Sequence, residues 1–484
     1  MAASLPISAA VKLPSVRREE TASAAKAVVP SIVLPLSFIL TGLLALCAGV
    51  AWLVARPSLL AAYHYNQYVI AVTHLFVLGW ICSIVMGAMY QLVPVALETR
   101  LYSERLAWLQ FALHCAGFIG MVWMFDTWNM KQVGHFGCVF GLGVGLFVYN
   151  LVQTLWRVPR WNVTATAVAA ALGWISFAIC AGLSIATAKC LNDLESSPPS
   201  AASGVSLLLH ALRYLAASMS RFEPISAMHA HAHLGAVGCF TMLIVGVSYK
   251  LIPMFTLSEV QNRARAAGSV VLLNIGLAGS FVTILLRSPW KLAFTLLLAG
   301  ALGLYGWEIA AILRARKRRT LDWGIKYFLT AVALLLPLSI LAMVLSWPGL
   351  PMNLVTGQLE NLYGFLGFVG VIGFAIIGML YKIIPFLVWF KSYSHQIGRA
   401  KVPALAEMYS NRWQAVGFWT YVSGLAVTSV AIIRSSEPGT RAGCALLGLG
   451  VVTLLLNVGS MLRHLFKPKL LPVSLKTSGV LKIA

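Results

Sequence analysis

The sequence predicts an all-α polytopic membrane protein with twelve transmembrane helices in three pseudo-threefold arcs of four. Three observations carry this. Hydrophobic residues make up 59% of the 484 and charged residues only 10%. Apolar stretches of about twenty residues, the length that spans a bilayer, recur along the chain. One motif also returns three times without gaps. Lipid cannot satisfy a free backbone N–H or C=O, so such stretches are helices, and the alternation that marks barrel strands is absent.

The spans centre on residues 43, 80, 116, 146, 176, 241, 278, 302, 335, 373, 423 and 452. Residues 205–219 are apolar but too short to cross, and read as an interfacial helix in an outer loop. The repeat stands at the second, sixth and tenth spans as "HLFVLGWICSIVMGAMYQLVP" from His74, "HLGAVGCFTMLIVGVSYKLIP" from His233, and "FLGFVGVIGFAIIGMLYKIIP" from Phe365. Gly79, Gly238 and Gly370 correspond, as do Gly87, Gly246 and Gly378, the tyrosines Tyr90, Tyr249 and Tyr381, and the closing prolines. Self-similarity at this period marks a domain built from repeated units. The arcs run over residues 31–160, 161–315 and 316–465 of one membrane domain, 31–465, between tails 1–30 and 466–484. The first tail mixes Ala, Ser, Pro and bases, and reads as a cytoplasmic tail, not a cleaved signal.

The net charge of +22 is distributed by topology. Bases concentrate in the segments on the N-terminal side of the membrane, including "RARKRR" at Arg314–Arg319, and only nine of the 36 fall on the other side. The positive-inside rule then puts both termini in the cytoplasm of a multi-pass protein of the cell inner membrane, with lipid as its surroundings. No basic patch stands on a soluble face, which excludes nucleic acid as a partner. The eight cysteines form no C-x-x-C pair, so neither a disulfide framework nor a covalent c-type haem is indicated.

Glycines at these spacings permit close helix packing, and Tyr with Pro at a helix end is interface architecture. Histidines are different, because an intramembrane imidazole must pair with something. "MHAHAHLGAVGCF", residues 228–240, holds His229, His231 and His233; His74 falls on the repeat position of His233, where the third repeat has Phe365. Residues two apart on a helix point about 200° apart, so His231 and His233 look into two different interhelical spaces. His229 shares a face with His233 and lies at or beyond the helix start. His74, His229, His231 and His233 are therefore the candidate metal ligands. A bare zinc or copper site wants three or four convergent ligands, whereas a haem needs one or two axial histidines and a wide apolar slot. Haem fits better, as one or two b-type groups, and Arg221 stands where propionates would emerge. His64 could meet a propionate or a metal. His114 and His135 read as structural, His210, His395 and His464 as interface or surface residues, and Lys250 and Lys382 as snorkelling at the inner boundary.

"HAHLGAVGCFTMLIVGVSYKLIP", His231 to Pro253, resembles the tenth helix of the catalytic subunit of haem-copper oxidases, closest to the nitric oxide reductase and C-type cytochrome oxidase branch. The resemblance implies twelve helices in three arcs and a haem-dependent oxidoreductase of the respiratory chain. By the same resemblance His231 would bind a high-spin haem, with His233 and His74 as low-spin ligands and a cytochrome c or other electron-transfer subunit as donor. The H-x-H pair here lies on the sixth span instead of the tenth, and the seventh, "GSVVLLNIGLAGSFVTILL", has no histidine. Copper is thus possible but has no three-histidine site. Threefold rotation offers a second assignment, in which one haem lies between His74 and His233 and His231 faces the third arc. Two functions follow: a membrane cytochrome that transfers electrons or binds or reduces O2 or NO, or a cofactor-poor relict of the fold acting as a transporter, an assembly factor or a copper-binding protein.

Overall fold

The computed structural model describes residues 31–194, 214, 217–218, 221–397, 400–469 and 471–472. Among them are twelve helices long and apolar enough to cross a membrane. The first arc holds α1 (Val33–Ala55), α2 (Gln67–Ala96), α3 (Glu104–Asp126) and α4 (Met130–Leu155). The second holds α5 (Val163–Leu194), α6 (Pro224–Thr256), α7 (Arg263–Leu285) and α8 (Lys291–Arg314). The third holds α9 (Trp323–Leu345), α10 (Leu354–Gln396), α11 (Asn411–Ile433) and α12 (Glu437–Phe466). The interfacial helix expected over 205–219 lies outside the described residues except for Tyr214, Ala217 and Ser218, which are helical. His210 lies outside them too.

Each arc is assembled by the same devices. Ser103, Asn262 and Ser410 cap the third helix, their side chains accepting from the N–H groups of Leu106, Arg265 and Trp413. A buried side chain of the fourth helix reaches that same turn. Asn150 Oδ1 accepts from Ser103 N at 3.0 Å and Asn457 Oδ1 from Ser410 N at 2.8 Å. In the second arc the position is Glu308, which accepts from the N–H of Gln261 (2.6 Å) and Asn262 (3.0 Å) and pairs with Arg265 at 2.6 Å. Glu308 is thus a charged substitute for an asparagine, neutralised on the spot.

The repeat glycines bring the second helix of each arc onto the first. A Cβ at Gly87 would lie 2.6 Å from Phe38 Cβ on α1, one at Gly246 would clash with Ala167 Cβ on α5, and one at Gly378 would lie 2.6 Å from Gly324 O on α9. These contacts hold α2, α6 and α10 at the centre. Their most apolar stretches are 72%, 67% and 83% buried, against at most 44% for any other span. α10 packs against both α2 and α6, whereas α2 and α6 make no contact of that extent with each other.

All three central helices contain a π-helical segment, Leu75–Cys82, Leu234–Thr241 and Leu366–Ile372, beginning one residue after His74, His233 and Phe365. Such wide turns are rare and concentrate at functional sites. The chain after α12 turns back, and Leu471–Pro472 pairs antiparallel with Ala400–Lys401.

Candidate functional site

α6 starts earlier than its apolar run suggests. Glu223 is its N-cap, with Oε1 accepting from Ile225 N (3.1 Å) and Oε2 from Ser226 N (2.7 Å), and Pro224 follows at the first helical position. Burial works to raise the Glu223 pKa. The hydrogen bonds from Ser226 and Ile225, with Arg287 nearby, outweigh it and hold the carboxyl below its ordinary value. His229, expected at or beyond the helix start, therefore lies in the second turn, and all three histidines stand on regular helix.

The backbone fixes two of the rings. His74 Nδ1 lies 2.8 Å from Ile70 O, and His233 Nδ1 lies 2.7 Å from His229 O. A carbonyl oxygen only accepts, so in both residues Nδ1 carries the proton and Nε2 presents its lone pair. His74 packs against Phe125 of α3, ring centroids 4.5 Å apart, beside the apolar wall of Ala71, Met130, Val133 and Ala186. His231 lies against α5, where a Cβ on Gly182 would approach its Cε1 to 2.9 Å, and its Nδ1 is buried without a hydrogen bond. His233 turns to α10: its Nε2 is 3.3 Å from the Tyr363 hydroxyl, and the two rings stack with centroids 5.8 Å apart.

As helical phase requires, His231 and His233 face different neighbours: His231 turns to Gly182 of α5 and His233 to Tyr363 of α10. An angle of about 200° says that two faces differ; which neighbour each face meets is set by where α5 and α10 pack. The π segments begin after these residues and do not disturb that phase.

His229 faces His64, which projects from the loop between α1 and α2; their Nε2 atoms are 3.1 Å apart. Glu360 of α10 lies beside them, with Oε2 3.8 Å from His64 Nε2. Burial lowers the pKa of His64, and the side-chain amide of Asn361 works in the opposite sense. Arg221 is exposed just before the α6 cap. Glu360 and Tyr363 were not singled out as ligands from sequence. The signal for them is the cluster of polar groups in "QLENLY", residues 358–363, near the N-terminal end of a span.

The remaining described histidines stand apart from this cluster. His114 is buried, with Ser83 Oγ 2.7 Å from its Nε2, and His135 is exposed beside Gln132. His395 is exposed as expected. His464, expected at the surface, is buried and accepts from the Tyr393 hydroxyl at 2.6 Å. That hydroxyl also accepts from Lys469 N at 2.8 Å, so the returning chain covers His464. Lys382 does not snorkel freely but pairs with Asp322, the cap of α9.

Residues 23–129, which cover α1 to α3 and His74, match the model of the family Cytochrome C and Quinol oxidase polypeptide I. Among solved structures the chain is similar to a heme-copper terminal oxidase dimer determined by cryo-EM, with a TM-score of 0.56 and 12% identity over 92% of this chain and 84% of that one. The fold is that of haem-copper oxidase subunit I. No curated protein matches the chain. With this fold and twelve membrane-crossing helices the chain is a multi-pass membrane protein in a lipid environment. Within the oxidase fold, this chain carries its H-x-H pair on α6, and α7 has no histidine for a three-histidine copper site.

Proposed function

We propose that this chain is a divergent haem-copper oxidase-like cytochrome in which His74 and His231 would hold a b-type haem between α2 and α6. The single observation that carries this is that His74, its Nε2 left free, and His231, its ring lodged against Gly182, stand on two central helices that pack on α10 more than on each other. The donor chemistry fits. The Nε2 of His74 is left free by the bond of its Nδ1 to Ile70 O, and the His231 ring has a buried nitrogen without a partner. Gly182 leaves the room that His231 occupies. Both imidazoles keep some accessible surface inside the bundle, so they line space instead of being sealed in packing.

When bound, haem supplies a one-electron couple and an iron site for a diatomic gas. The protein's part is to orient and to exclude. The i−4 carbonyls hold His74 and His233 in one tautomer and one ring orientation, which also raises ligand basicity. The wall of Phe125, Met130 and Val133 keeps water from the space. On the α10 side the Nε2 of His233 is engaged by the Tyr363 hydroxyl, so this ring is held by α10 and is not one of the two haem ligands. Arg221, exposed just before the α6 cap, would pair with propionates, and the haem would bind a gas such as O2 or NO. An external cytochrome c or another electron-transfer subunit delivers electrons, and both termini face the cytoplasm.

The test is a reduced-minus-oxidised visible spectrum of the detergent-purified chain with a haemochrome count, repeated on His74→Ala, His231→Ala and His233→Ala. A b-type signal that disappears in the first two and persists in the third supports the assignment. A signal lost with His74 and His233 but kept without His231 restores the rotated pairing. No haem after expression with adequate haem supply refutes the cytochrome reading and leaves the relict fold.

A further inference from the structure

We propose that His64, His229 and Glu360 form a site for a divalent transition-metal ion at the outer end of the α6–α10 contact, separate from the haem ligands. One ligand atom from each of the three residues can be chosen so that all lie within 4.8 Å of one another. The two Nε2 atoms face each other at 3.1 Å, with ring planes 28° apart. Two imidazole nitrogens bound tetrahedrally at about 2.0–2.1 Å stand roughly 3.3 Å apart, so a cation needs only a small opening of this pair. Glu360 Oε2, 3.8 Å from His64 Nε2, stands on the third side, from which it can close on an ion held by the two rings.

The three groups satisfy one another poorly as they stand. Two facing imidazole nitrogens share only one proton, and Glu360 Oε2 is buried with no hydrogen-bond partner. A cation takes both Nε2 lone pairs and the carboxylate, with each ring keeping its proton on Nδ1. Two imidazoles and one carboxylate suit zinc and its first-row neighbours and leave a fourth position open; calcium and magnesium prefer all-oxygen sets.

The ligands come from three elements that are tied together. Gln358 Nε2 donates to Ala61 O at 2.7 Å and Asn361 Nδ2 to Ala62 O at 2.6 Å, which pins the His64 loop to the turn of α10 that carries Glu360. Tyr63 packs on the His64 ring, centroids 4.5 Å apart. Lys291 is the nearby cation, and its ammonium donates to Leu345 O at 3.1 Å. Because His229 O also accepts from His233 Nδ1, an ion on the His229 ring stiffens the residue that orients the His233 ring.

The experiment uses the full chain in detergent, stripped with a chelator and titrated with Zn2+ by calorimetry and with Co2+ by visible absorption. The expected result is one equivalent bound, with the Co2+ bands of a four- or five-coordinate nitrogen and oxygen site. His64→Ala, His229→Ala and Glu360→Gln should each weaken binding by more than the roughly 10–100-fold that losing an outer-sphere partner costs. His74→Ala and His231→Ala should leave Zn2+ binding unchanged while they test the haem, so the two readings fail separately. Size-exclusion behaviour checks the fold of each variant, and His64→Gln provides a milder second probe. Absence of a stoichiometric site, or a site indifferent to all three substitutions, overturns the proposal.

Discussion

α2 and α10 occupy equivalent places in their arcs and differ in chemistry. Both enter the bundle from an asparagine cap, Asn66 or Asn353. Both change to a π segment at the same register, touch the first helix of their arc through a glycine, and carry the repeat tyrosine. At the residue before the π segment α2 has His74 and α10 has Phe365. Two positions earlier, where α6 has His231, α10 has Tyr363, whose hydroxyl meets His233. The π segments and glycines are therefore scaffold, common to all three arcs. Chemistry is added at the outer ends, side chain by side chain, and only α2 and α6 received histidines on the central register.

The sharpest test of this difference is a pair of substitutions at the equivalent position. His74→Ala should abolish the b-type spectrum, whereas Phe365→Ala should retain it, read by the haemochrome assay. Loss in both would mean that packing at this register, and not ligation, holds the haem.

Below that in size comes the fourth-helix device. Glu308→Ala leaves the Arg265 charge without its buried partner and should cost about 3–5 kcal/mol. Asn457→Ala, at the neutral equivalent, should cost about 1–3 kcal/mol. Thermal unfolding in detergent compares them, and equal losses would show that the Glu308 charge adds nothing to its shape.

Gly246→Leu, which drives a side chain into Ala167 of α5, should destabilise by about 1–3 kcal/mol or separate α6 from α5. Gly300 on α8 has nothing within 4 Å of an added Cβ, so Gly300→Ala serves as the control and should be neutral or slightly stabilising.

The smallest effect concerns the α6 cap. Glu223→Ala should lose about 1 kcal/mol at neutral pH. The folded-state pKa of Glu223 is lowered, so the wild-type advantage is fully present above the ordinary carboxylate range and disappears as pH falls through the lowered value. A difference between the two proteins that persists at the acid end would assign the cap's contribution to neutral hydrogen bonding.

The sequence by itself determined the class, the twelve spans, the three arcs and the residues worth attention. These follow from rules that act locally or by repetition: apolar length sets a span, an ungapped motif sets an arc, and a histidine in lipid demands a partner. The glycine contacts were legible for the same reason. The tertiary structure decided which histidine meets which. Helical phase separates His231 from His233, but only the packing of α5 and α10 turns one toward Gly182 and the other toward Tyr363. It also decided the π segments, and that His64, 165 residues before His229, closes on it together with Glu360. It buried His464 beneath the returning chain. Such contacts join residues far apart in the chain, and a linear pattern carries no record of the distance that folding removes.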